Sequence, residues 1–125
     1  MSLETPLHKA QGLGSSHSGV RHFWTQRITA VALVPLSLWF AIAMLGLVGV
    51  QYTDVLQFIN NPVNAVLLAA FVLISLYHMV LGLQEVILDY IPHPGLKFAS
   101  MLAVYGFAFA VAAAGIIPLI RILGS

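Results

Sequence analysis

The chain has 125 residues, of which 60% are hydrophobic and 7% charged, and its formal net charge at pH 7 is +1. Its five basic and four acidic side chains cannot cover a small soluble domain, which has much surface for its volume. The lack of cysteine excludes disulfide scaffolds, Cys-ligated zinc and iron–sulfur clusters held by this chain alone, and the near-neutral charge does not indicate nucleic-acid binding.

The N-terminal segment, residues 1–26, is polar and rich in glycine and serine. It has neither the short apolar core and cleavage site of a secretory signal nor the arginine-rich character of a transit peptide. We therefore expect an extended cytoplasmic lead, followed by a membrane domain over residues 27–125.

Three apolar runs are long enough to cross a bilayer, which requires roughly 20 helical residues. They cover about residues 28–50, 63–88 and 98–123. The connections QYTDVLQFINNP and DYIPHPGLK contain prolines and turn formers that interrupt a helix. Because three segments cannot close a barrel, the sequence predicts an all-α membrane protein with three antiparallel transmembrane helices.

The distribution of basic residues predicts the orientation, since positive charge accumulates on the cytoplasmic side. In a three-span arrangement, Lys9, Arg21, Arg27 and Lys97 fall on one side, and Arg121 falls on the other. We therefore expect a cytoplasmic N-terminus and a periplasmic C-terminus.

The second span carries most of the ionisable groups that would lie within the membrane, where such groups are costly and usually functional. His78 lies near its middle, and Glu85 and Asp89 follow it. At 100° per residue, both carboxylates lie within about 20° of the His78 direction, and Gly82 lies one turn away on nearly the same face. The glycine leaves room for a flat ligand against the backbone.

This pattern suits two kinds of redox ligand. His78 could supply one axial nitrogen to a b-type haem whose other ligand comes from another chain or a second copy, and Arg27 could face the propionates. Tyr90 could donate a hydrogen bond to a quinone carbonyl, while Asp89 orients that donor or relays a proton.

Simpler interpretations remain open for the same residues. His78 could hydrogen-bond to a neighbouring helix, Asp89 and Tyr90 could form an interfacial cap, and Arg27 could be a positive-inside anchor. Glu85 could pair with a partner, or serve as the binding carboxylate of a small proton-coupled transporter. A third alternative is an anchor without a redox group.

Two segments resemble a known family. Residues 18–30 contain His22-Phe23-Trp24-Thr25-Gln26-Arg27-Ile28-Thr29-Ala30, an HFWxQRxTA pattern, and residues 78–90 fit H-x3-G-x3-V-x2-DY. Together with the three-span layout, they resemble the hydrophobic membrane anchor of succinate dehydrogenase, the small cytochrome b-type polypeptide of respiratory complex II, in its proteobacterial form.

The resemblance implies a role for each of these residues. His78 would be an axial ligand of haem b opposite a histidine of a companion cytochrome b anchor, Arg27 would lie near the propionates, and Gly82 would pack against the haem. Tyr90 would bind ubiquinone, with Asp89 beside it, and Glu85 receives no role.

The resemblance also implies an assembly and a location. The partners would be the companion cytochrome b anchor subunit, an iron–sulfur subunit and a flavoprotein that carries FAD and oxidises succinate to fumarate. The four-subunit complex, itself able to assemble further, would lie in the bacterial inner membrane and serve the tricarboxylic acid cycle and the aerobic respiratory chain. A haem-free anchor of a fumarate reductase-type complex is the related alternative.

Overall fold

The structure is a computed structural model that describes residues 5–7 and 17–125. Residues 17–125 form four helices joined by short turns, and no strand occurs in the described part of the chain. The helices are α1 (His17–Gly46), α2 (Tyr52–Asn60), α3 (Pro62–Tyr90) and α4 (Pro94–Leu123).

Three of these helices are long and apolar enough to cross a membrane. The candidate spans are Gly19–Gly46, Pro62–Tyr90 and Pro94–Leu123, with 28, 29 and 30 residues. Because roughly 20 residues suffice for the hydrocarbon layer, each helix has one or more turns to spare at its ends. The prediction of an all-α protein with three apolar spans is confirmed.

The boundaries of α1 differ from the prediction at both ends. Residues 17–26, which we expected in an extended lead, are helical, and most of the remaining lead lies outside the described residues. Packing of this polar segment against α3 explains the longer helix, since tertiary contacts override weak local propensity. The helix ends at Gly46 rather than residue 50, and Gly49 adopts a φ of +79° in the following turn.

The connection between the first two spans contains α2, which we had expected to be a loop. The Asp54 carboxylate accepts a hydrogen bond of 3.1 Å from the Gln51 backbone N–H and so caps the start of α2. Asn61 then caps α3 by accepting from the Val63 backbone N–H at 2.9 Å, and Pro62 occupies the first turn. Two adjacent capping signals therefore define a short helix where turn residues alone suggested irregular chain.

The central element is α3, which packs against both α1 and α4. Within the described residues, no Cα atom of α1 lies within 8 Å of a Cα atom of α4. The rings of Phe40 on α1 and Phe71 on α3 stack at 4.6 Å, and a Cβ on Gly115 of α4 would lie 3.5 Å from Val72. The buried side chains of the described residues all belong to α3: Ala65, Val80, Leu81 and Ile87.

The antiparallel order gathers the basic side chains at one end. The start of α1, the end of α3 and the start of α4 lie together, as the hydrogen bond of 3.5 Å from the Lys97 ammonium to the Leu88 carbonyl illustrates. Arg21, Arg27 and Lys97 define this basic end, and Arg121 lies near the end of α4, at the opposite end of the bundle. Lys9, also counted for orientation, lies outside the described residues.

Candidate functional site

The side chain of His78 lies at the interface between α3 and α1, partly buried. Its Nδ1 is 2.9 Å from the hydroxyl oxygen of Thr29 on α1. No hydrogen bond to its Nε2 is present among the residues that the structure describes. The imidazole is therefore held by a neighbouring helix through one nitrogen, while the other nitrogen keeps its capacity to bind a ligand.

His78 and Arg27 line the same groove, which we call the α1–α3 groove. It has a volume of about 390 Å³, and its lining residues are Phe23, Gln26, Arg27, Ala30, His78 and Glu85. The guanidinium carbon of Arg27 lies 4.8 Å from the centroid of the Phe23 ring, in cation–π contact. The two residues selected from the sequence for a haem iron and its propionates are thus brought together.

Gly82 faces α1 one turn along α3 from His78. A Cβ built on Gly82 would lie 4.0 Å from the side-chain amide nitrogen of Gln26, and, apart from its chain neighbours and the adjacent backbone of α3, no other atom of the described residues lies within this distance. Gln26 itself lines the α1–α3 groove. Gly82 therefore keeps the backbone of α3 open beside this groove.

Glu85 has a partner that the sequence did not reveal. Its Oε1 lies 3.2 Å from Nδ1 of His22, whose side chain is 25% exposed, compared with 49% for Glu85. The Nε2 of His22 is buried and has no hydrogen-bond partner among the described residues. The carboxylate is thus placed against α1 near the basic end. The sequence holds one signal of this pairing. His22 and Thr29 are seven residues apart, so both lie on one face of α1, as Glu85 and His78 do on α3.

The last turn of α3 carries the remaining predicted residues. Asp89 lines a second cleft of about 580 Å³ together with His22 and Glu85, which we call the terminal cleft. Tyr90 is 80% exposed and does not line that cleft. Consecutive helical residues point about 100° apart, so Asp89 faces α1 while Tyr90 projects outward. The structure does not bring these two side chains into one pocket.

The stripe predicted on α3 does face α1. His78 and Glu85 share the α1–α3 groove, and Glu85 and Asp89 share the terminal cleft. Phe23 and Glu85 line both cavities. Polar side chains therefore recur along the α1 side of α3, at His78, Glu85 and Asp89, from the middle of the helix to the basic end.

The matches to known proteins agree on one family. Residues 1–116 match the family described as succinate dehydrogenase/fumarate reductase transmembrane subunit. The chain is 34% identical over 117 residues to the succinate dehydrogenase hydrophobic membrane anchor subunit of Paracoccus denitrificans, covering 94% of this chain and 90% of that protein.

A similarly named protein of Rickettsia bellii (strain RML369-C) is 37% identical over 109 residues, with 87% of each chain covered. No solved structure gives a significant match. Because the family match covers nearly the whole chain, this protein belongs to the succinate dehydrogenase/fumarate reductase transmembrane subunit family.

Proposed function

We propose that the chain is the hydrophobic membrane anchor of a succinate:ubiquinone oxidoreductase. The observation that carries this proposal is the shared groove of His78 and Arg27, in a chain that resembles named anchor subunits over nearly its full length. The chain would not be catalytic alone. It would hold the soluble subunits at the membrane and supply part of a haem site and part of a quinone site.

The residues of the α1–α3 groove fit one half of a haem b site. Nε2 of His78 would ligate the iron, and the Arg27 guanidinium would pair with a propionate. Gly82 keeps space at the backbone beside them. Haem, when bound, takes up and releases one electron. Because His78 supplies a single ligand, the second would come from the companion cytochrome b anchor.

The quinone site would be formed at the basic end. Reduction of ubiquinone to ubiquinol requires two electrons and two protons. The Tyr90 hydroxyl can donate a hydrogen bond to a quinone carbonyl, and its exposure leaves it accessible to quinone and to partner subunits. Asp89 would act from the adjacent terminal cleft, as a carboxylate that receives or passes protons near this carbonyl.

The soluble partners would bind at the basic end on the cytoplasmic side of the inner membrane. Three cations of the described chain lie there, which favours this orientation by the positive-inside rule. The flavoprotein would oxidise succinate to fumarate, and the iron–sulfur subunit would deliver electrons toward Tyr90. FAD and iron–sulfur clusters would thus be confined to these partners.

Cysteine labelling tests this orientation, because the chain contains no cysteine of its own. A Ser125→Cys variant should react with a membrane-impermeant maleimide in intact spheroplasts. A Ser2→Cys variant should react only after permeabilisation. Labelling is detected as a mass increase of this chain. The reverse pattern would contradict a cytoplasmic N-terminus.

Purification of the tagged chain in a mild detergent tests the function. We expect three further subunits, together with flavin, non-haem iron, a b-type haem spectrum and succinate–quinone reductase activity. Flavin and iron without haem would indicate the haem-free anchor and remove the proposed role of His78. Isolation without flavin, iron or haem would contradict the proposal and favour the transporter interpretation of Glu85.

A further inference from the structure

The hydroxyl group of Thr29 is surrounded by three polar atoms. Its oxygen lies 2.8 Å from the Thr25 carbonyl oxygen and 3.0 Å from the Gln26 carbonyl oxygen, both in the preceding turn of α1. It also lies 2.9 Å from Nδ1 of His78 on α3. The hydroxyl has a single hydrogen to share among these contacts.

The chemistry of the neighbours decides where that hydrogen lies. The two carbonyl oxygens can only accept, so the hydroxyl must point between them to make favourable contacts. If it pointed at His78 instead, the lone pairs of Thr29 would face two carbonyl oxygens at 2.8 and 3.0 Å, which is repulsive. The favourable arrangement therefore has Nδ1–H of His78 donating to the Thr29 oxygen.

This hydrogen bond also determines the protonation of the second ring nitrogen, Nε2. A neutral imidazole carries one hydrogen, so protonation at Nδ1 leaves Nε2 with its lone pair available. We propose that Thr29 is a positioning residue that selects this tautomer and fixes the ring orientation, so that Nε2 of His78 is ready to bind haem iron. This inference rests on the proposed haem ligation by His78.

The position of Thr29 makes it an effective orienting group. Threonine in a helix has few side-chain rotamers, and bonding of its hydroxyl to the preceding turn selects among them. The acceptor is thus placed by the backbone of α1. A hydrogen bond donated by the ring nitrogen that does not bind the metal makes a histidine ligand more basic. The contact with Thr29 should therefore stabilise ferric haem more than ferrous haem.

A Thr29→Val variant tests the proposal, because valine keeps the shape and removes the hydroxyl. Loss of such an outer partner typically weakens metal binding about 10- to 100-fold. We therefore expect faster haem transfer to apomyoglobin and a higher midpoint potential in the purified complex. A tenfold larger loss for the ferric state than for the ferrous state corresponds to about 59 mV. Thr29→Ser should restore both values.

Thr25→Val is the matched control. The Thr25 hydroxyl donates to the Arg21 carbonyl oxygen at 2.7 Å. The variant therefore loses the same kind of hydrogen bond one turn earlier in α1, at a residue whose hydroxyl does not contact His78. Its haem retention and potential should equal those of the wild type. Should the valine variant at position 29 fail to assemble, Thr29→Ala replaces it and must raise the potential relative to Thr29→Ser.

Several outcomes would overturn the inference. Unchanged haem retention and potential in Thr29→Val would mean that the hydroxyl does not tune the ligand. Equal shifts in the serine and valine variants would assign the effect to the methyl group. In both cases the ligation by His78 would stand. Retention of unaltered haem in a His78→Ala complex would instead refute the proposed haem ligation by His78, on which the inference depends.

Discussion

Replacing His78 with alanine should alter or abolish the b-haem spectrum of the assembled complex. Loss of an outer-shell partner alone lowers metal affinity about 10- to 100-fold, so loss of the ligand itself should lower haem affinity at least tenfold and thereby reduce the haem-to-flavin ratio. Any haem that remains should be five-coordinate or carry a replacement ligand, with a changed spectrum and potential. The measurement is a reduced-minus-oxidised optical spectrum, together with flavin content.

His93→Ala is the matched control for this experiment. The His93 Nδ1 accepts a hydrogen bond of 3.2 Å from the Leu96 backbone N–H and caps α4, away from the α1–α3 groove. Loss of this cap is expected to cost about 1 kcal/mol of stability. Haem content should stay at the wild-type level. Unchanged haem content, spectrum and potential in His78→Ala would reject His78 as the ligand.

Replacing Tyr90 with phenylalanine should impair quinone reduction much more than succinate oxidation. The hydroxyl is removed, while the ring and its exposure at the end of α3 are kept. Loss of one hydrogen bond near the top of the range of ~0.5–1.5 kcal/mol corresponds to about a tenfold lower rate with ubiquinone. Succinate oxidation by an artificial dye, which takes electrons before the quinone site, should change little.

Tyr52→Phe provides the comparison for Tyr90→Phe. Tyr52 is also highly exposed, at 74%, but it begins α2 at the opposite end of the bundle. Its replacement should leave both assays unchanged. Equal losses in the quinone and dye assays of Tyr90→Phe would argue for general damage to the complex and against a quinone contact.

The membrane spans were predictable because each depends on a property of a continuous segment. The second and third spans were expected at 63–88 and 98–123 and occur within α3 and α4. Long apolar runs admit few alternatives in a bilayer, where every backbone group must be paired within its own segment. Pro62 and Pro94, which we placed in the connections, instead occupy the first turns of α3 and α4, so α4 begins at Pro94 rather than at residue 98.

The polar connections were less predictable. The helix α2 combines local caps with a stacking contact of 6.3 Å between Phe58 and Trp39 on α1, and this contact depends on how α1 and α2 are arranged. The helical start of α1 similarly depends on the pairing of His22 with Glu85. Contacts between elements are not contained in the periodicity of one segment.

The candidate site was likewise predictable within one helix but not between helices. Periodicity placed His78 and Glu85 on one face of α3, and the structure agrees. It could not identify the facing group, because Thr29 lies 49 residues away in sequence and its contact depends on the register between two helices. Haem ligation and the quinone contact remain predictions that depend on chains other than this one.

An experimental map of the purified complex tests the role of His78 most directly. We predict density that joins Nε2 of His78 to the haem iron. The second axial ligand should come from the companion anchor, and Nδ1 of His78 should be directed at Thr29. Haem ligated without His78, or a His78 whose two ring nitrogens both bond only to protein groups, would contradict it.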